Sequence, residues 1–216
     1  MTELEQLLDL VKEKYPLRAC DPGTFTVMRA SGMRFTLEAY EAEGLGHISL
    51  MQAKGFFGLM QMHTLIVNPT ERDLPLYSYD RILAMGNDTL IAELCDTVVS
   101  NFDPPELNAV VSAAAGLPDR DPGVHWYDSL RLPQSISKKG TKKQSAALDK
   151  LALAHFSAWL SAETAPLTDR ETKREKTKAY VEGLLTHGGP STDAFIKAIG
   201  KEKTEELYRK VLFGTE

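Results

Sequence analysis

The chain has 216 residues, a formal net charge of −5 and a 43% apolar composition. Such a chain can bury a substantial core within one domain spanning residues 1–216, and its acidity argues against a general nucleic-acid binder. Cys20 and Cys95 stand far apart with no CxxC spacing, so neither a disulfide framework nor a zinc site is expected, and a reducing cytoplasm fits.

The opening stretch places Leu4, Leu7, Leu8 and Val11 on one helical face with acids and lysines opposite, and Pro16 stops it. This predicts a surface helix over 3–14, not a secretion signal. No apolar run is long enough for a spanning helix, so no membrane partner is expected. From Phe25 to Val99 the period changes to two. Six segments, FTVMRA, MRFTLEAYEAE, HISLMQA, FGLMQMHTLIV, LPLYSYDRILAM and TLIAELCDTVV, are separated by Ser31-Gly32, Glu43-Gly44, Lys54-Gly55, the loop Asn68–Pro75 and Gly86-Asn87. Short alternating runs joined by tight turns predict an antiparallel meander.

After Pro105 the texture is helical up to Gly116, and an aromatic and basic loop, PGVHWYDSLRLPQSISKKG, follows. Loops laid over a sheet often carry binding residues. A strongly periodic helix is expected over 145–162 through Leu148, Leu151, Phe156 and Trp159. Another runs from Asp169, a candidate N-cap, to the Gly188-Gly189-Pro190 break, and short helices over 192–199 and 203–212 close the chain. Strands first and helices after them make an α+β protein, a three-layer α/β/α sandwich around an antiparallel sheet of about six strands.

Residues 63–80 are the chemical centre of this reading. A hairpin centred between Glu71 and Arg72 would set His63 opposite Asp80, with Cβ atoms roughly 4.5–5.5 Å apart on one face. With Gly55 at the centre of the preceding turn, His47 would oppose His63. The expectation is a polar row of His47, His63 and Asp80 crossing three strands, conditional on register. Two histidines and a carboxylate can relay protons, or can form the ligand set of a non-haem iron site, and a lone member can simply be a satisfied core group. Arg131, Lys138, Lys139, Lys142, Lys143 and Lys150 stand against the single acid Asp149. That basic segment is either a solvated loop or a face for an anion or acidic partner.

Two stretches carry a family resemblance. MHTLIVNP with DLPLYSYDRI, and the tail GGPSTDAFIKAIGKEKTEELYRKVLF, resemble the ferredoxin-dependent bilin reductases. The resemblance implies a three-layer sandwich whose substrate, usually biliverdin, lies between the sheet and the C-terminal helices. It implies electrons arriving singly from a ferredoxin, with no bound flavin, nicotinamide or metal, in a monomer. The family's central aspartate falls on Asp80, its partner histidine on His63, and a further pocket histidine on His47. Asp80 is then the expected proton donor and His63 the relay. Departures stand beside these matches. A family glutamate tied to reducing the D-ring vinyl group is replaced by Ser49, and residues near the C-terminal helix that are acidic and basic in the family are Gly189 and Pro190. Lys138 and Lys139 are the candidates for the substrate propionates, and Lys142 and Lys143 for ferredoxin docking. Two rival readings share the resemblance: a reductase of an open-chain chlorophyll catabolite, and a bilin-binding protein without turnover.

Overall fold

The structure, a computed structural model, describes residues 2–216 apart from the side chain of Pro190. Helix α1 (Glu3–Lys12) begins with a capping box in which the Thr2 hydroxyl accepts from the Glu5 backbone N–H and the Glu5 carboxylate accepts from that of Thr2. Its buried residues are those of the apolar stripe, Leu4, Leu7, Leu8 and Val11.

Eight strands follow the meander: β1 (Leu17–Cys20), β2 (Val27–Ala30), β3 (Met33–Ala42), β4 (Gly46–Gly55), β5 (Met60–Pro69), β6 (Leu76–Ala84), β7 (Asn87–Cys95) and β8 (Ile136–Thr141). The order is β1-β3-β4-β5-β6-β7-β8, with β2 also on β3, and every pairing is antiparallel. The six expected strands are β2–β7. The two additions are a four-residue strand and ISKKGT, whose lysines and glycine read as a loop.

Helices cover both faces, as the α+β reading requires. On one face α1, α2 (Pro105–Ala113) and α3 (Ser145–Ser161) pack on Leu65, Val67, Tyr77, Tyr79, Leu90 and Ala92. Tyr77 lies 4.9 Å from the Trp159 ring and 5.1 Å from that of Phe156. On the other, α4 (Arg170–His187), α5 (Pro190–Ile199), α6 (Lys201–Glu206) and a π-helical segment, Leu207–Leu212, pack on Phe35, Leu37, Met51, Ile66 and Leu76. Among the described residues no helix is long and apolar enough to cross a membrane.

Two turns depart from the sequence reading, and they decide the register. Strand β4 runs to Gly55, and the reversal is made by Phe56–Leu59, with positive φ at Phe56, Phe57 and Gly58. The β5–β6 ladder ends at Val67↔Tyr77, leaving Asn68–Leu76, an odd number of residues, outside it. The centre therefore falls on Arg72, which donates to the Tyr15 hydroxyl and to the carbonyls of Leu160 and Ala162.

Candidate functional site

The one-residue difference in register separates the expected row. His63 pairs with Arg81 and with Gln52, Thr64 pairs with Asp80, and His47 pairs with Asn68. Because alternate residues face opposite sides, His63 lies toward α1 and α3, and Asp80 toward α4–α6. The expected contact between His63 and Asp80 does not form, nor does the alignment of His47 with His63. Among the described residues no group of three His, Cys, Asp or Glu side chains is arranged to hold a metal, so the iron ligand set is not assembled.

Asp80 opens into a cavity of about 160 Å³ between the sheet and the C-terminal helices. Strands β5, β6 and β7 supply its floor through Thr64, Ile66, Ser78, Asp80 and Glu93. Tyr180 and Leu184 of α4, Thr192 and Phe195 of α5, and Tyr208, Leu212 and Phe213 close it from above. The Thr64 hydroxyl donates to Asp80 Oδ1 at 2.5 Å. Burial outweighs that bond and, with the nearby Glu93 carboxylate, raises the Asp80 pKa to about 6. A carboxyl with such a pKa can both hold and release a proton near neutral pH.

The side wall comes from the long loop between α2 and β8. Arg131 Nη1 donates to Glu93 Oε1 at 3.2 Å, and the Tyr127 hydroxyl donates to Glu93 Oε2 at 3.4 Å. The Trp126 indole lies flat over α4 where residue 183 is glycine. A Cβ there would fall 2.1 Å from the ring, so no other residue leaves room. The indole N–H is buried without a hydrogen-bond partner among the described residues, which leaves a donor beside the cavity. Cavity-lining residues among those described include Asp80, Glu93 and His125 as ionisable groups besides tyrosines, with no lysine or arginine.

The other expected site residues lie elsewhere. His47 Nε2 donates to Val211 O, Ser49 Oγ to Leu212 O and Asn68 Nδ2 to Phe213 O, each at 2.8 Å. These are carbonyls a helix C-terminus leaves without partners. The three side chains therefore fasten the segment that roofs the cavity. His47 Nδ1 lies 2.8 Å from Glu41 Oε1. Both ring nitrogens face acceptors, so this arrangement is complete when the imidazole carries both protons. Lys138, expected at a propionate, is buried on the α1–α3 side, with its ammonium on Leu117 O and Asp119 Oδ1. Lys139 is exposed on β8 opposite Thr89, and Lys142 and Lys143 are exposed in the turn before α3. None of these four lysines lines the cavity.

The sequence reading missed Thr64, Glu93, Trp126, Tyr127, Tyr180 and Tyr208 as site residues. The HWY run in a Pro/Gly-rich loop was the one available signal, since the others sit in strands and helices where they read as ordinary core positions.

The fold defined by this sheet and its two helical layers has solved counterparts. No protein-family model matches the chain, and no curated protein matches it in sequence. Structure comparison finds 34 matching chains. One is selenomethionine phytochromobilin synthase from tomato, crystallised in complex with biliverdin: the match covers 99% of this chain and 83% of that one, with a TM-score of 0.71 and 15% sequence identity. At that identity the likeness is one of fold.

Proposed function

We propose that the protein reduces a linear tetrapyrrole of the biliverdin type, taking electrons one at a time from a ferredoxin and protons from Asp80. The observation that carries this reading is the position of Asp80, a carboxyl with a raised pKa on the floor of a cavity between the sheet and the C-terminal helices. The shared fold of a protein crystallised with biliverdin supports it. Saturating one double bond consumes two electrons and two protons. Asp80 gives a proton to the one-electron-reduced tetrapyrrole, regains one through the half-open cavity, and gives again. His63 faces the opposite layer and has no part in this scheme.

The cavity is smaller than the roughly 300–1,000 Å³ of pockets for drug-sized ligands. Binding therefore moves the roof, and the α4–α5 turn is the hinge: Gly188 has φ +74° and Gly189 begins α5. With no cation lining the cavity, the propionates stay outside it. Lys142 and Lys143 receive the acidic electron donor, and residues 1–216 work as one domain in a monomer.

The test is anaerobic incubation with biliverdin, reduced ferredoxin and a regenerating system, with products resolved by spectrum and chromatography. Reduced bilins support the proposal. Binding without turnover would make the protein a carrier, and no binding at micromolar biliverdin would end the reading.

A further inference from the structure

One end of the sheet gathers two features that folding does not explain. The first is apolar. The β4–β5 turn presents Phe57 fully to solvent, with Phe56 54% and Leu59 68% exposed, and the adjoining β6–β7 turn presents Met85 at 89%. The two turns touch, since Met85 N donates to Leu59 O at 3.4 Å. Phe56, Phe57 and Met85 all have positive φ, which side chains other than glycine adopt at a cost. Soluble proteins expose single apolar residues freely, but a contiguous group held out on strained backbone marks an interaction site.

The second feature is charge. The register sets Arg29 opposite Arg34 and Arg34 opposite Lys54, three cations side by side on adjacent strands beside the apolar turns. All three are exposed, and none forms an ion pair among the described residues. Like charges directly opposite one another destabilise a sheet. An anionic partner would turn that cost into affinity.

We infer that this end of the sheet is a docking surface for an anionic lipid bilayer. Phe57, Leu59 and Met85 enter the interface, and Arg29, Arg34 and Lys54 meet the headgroups. The apolar side chains project singly from turn tips and form no groove, which suits insertion among acyl chains better than packing on a folded partner. Cations beside inserted apolar groups give the two-part attraction that holds peripheral proteins on acidic membranes. The inference is independent of the tetrapyrrole chemistry, and it replaces the expectation of no membrane partner.

Co-sedimentation of the full chain with phosphatidylcholine vesicles, with and without phosphatidylserine, tests it. The wild type is expected to sediment with the phosphatidylserine vesicles only and to be released as ionic strength rises. Arg34→Glu with Lys54→Glu, and separately Phe57→Ser with Leu59→Ser, should each weaken binding at least about tenfold, while Lys142→Glu with Lys143→Glu stays within about twofold. All the replaced side chains are exposed, so an unchanged thermal midpoint shows that the fold survives. No sedimentation of the wild type, or variants that bind as well as it does, would overturn the inference. Vesicle-blind wild type whose ferredoxin affinity falls with Arg34→Glu and Lys54→Glu would instead make the surface a protein-docking site.

Discussion

The two faces of the sheet treat buried charge in opposite ways. Toward α1 and α3, Arg81 is paired on every side: Nε and Nη2 donate to Asp88 at 2.5 and 2.8 Å, and Glu3 and Asp149 complete the ring at 3.3 and 3.0 Å. Toward α4–α6, one register position away, Asp80 has a single side-chain donor and an open cavity above it. The first arrangement resembles the interior of any stable domain. The second leaves a carboxyl under-satisfied and a Trp126 N–H unpaired, the condition in which a ligand gains by supplying partners. A single residue of register thus divides scaffold from chemistry.

The largest expected effect is on the open face. Asp80→Asn keeps the shape and removes the titrating proton, so bilin turnover should fall by about 10²–10⁴ with affinity retained. Single-turnover assays with reduced ferredoxin would show it, and a rate within a few-fold of wild type would place protonation elsewhere. On the closed face, Arg81→Met strands the Asp88 carboxylate and should cost about 3–5 kcal/mol of stability. Urea unfolding measures this, and a small loss would mean that the two faces are less different than their geometry.

The pH dependence sharpens the contrast further. An acid must hold its proton to give it, so turnover should decline as pH rises above about 6, the Asp80 pKa. Glu93→Gln removes a negative neighbour that raises this pKa and should shift the limb to lower pH. Stability follows the same sign. The folded pKa lies above the ordinary 3.8, so between about pH 4 and 6 the folded state holds more protons than the unfolded one. The contribution of Asp80 is complete at low pH and is lost as pH rises through that window. Asp80→Asn should flatten this part of the stability profile. A smaller effect is expected at Trp126. Replacement by phenylalanine keeps the ring but loses the unpaired donor, and bilin affinity should weaken by about tenfold or less, roughly the worth of one hydrogen bond. Quenching titrations would read it. The smallest belongs to His63→Gln, which should leave products and rates nearly unchanged because its ring lies on the other side of the sheet.

Much of the fold was legible because it rests on periodicity. The stripe Leu4, Leu7, Leu8 and Val11 defines α1, Trp159 and its neighbours define α3, and the alternation from Val27 to Leu94 defines six strands. Asp80 was legible as the site's carboxylate. Its partners were not, because register depends on turn length. Phe56 and Phe57 carry no turn signature, yet both adopt the left-handed region and push the reversal past Gly55. The aromatic wall was hidden for another reason: Trp126 and Gly183 are far apart in the chain, and neither residue alone announces that one is seated on the other. His47 and Ser49 were selected for the cavity, but their role is to hold carbonyls of a segment more than 160 residues away in sequence, where |i−j| is 164 and 163.

The π-helical segment Leu207–Leu212 has a consequence for how this chain can vary. Phe213 N donates to Tyr208 O five residues back, so the segment carries one residue more per turn than an α-helix would. A substitution here alters one side chain. A single-residue deletion would restore ordinary pitch and rotate everything after it by about 100°, a turn being 3.6 residues. The carbonyls of Val211, Leu212 and Phe213 would leave His47, Ser49 and Asn68 together, and the Phe213 ring would swing off the cavity. Relatives built this way should therefore tolerate exchanges between Leu207 and Leu212 while rejecting gaps, and a deletion library across the segment should be depleted where a substitution library is not.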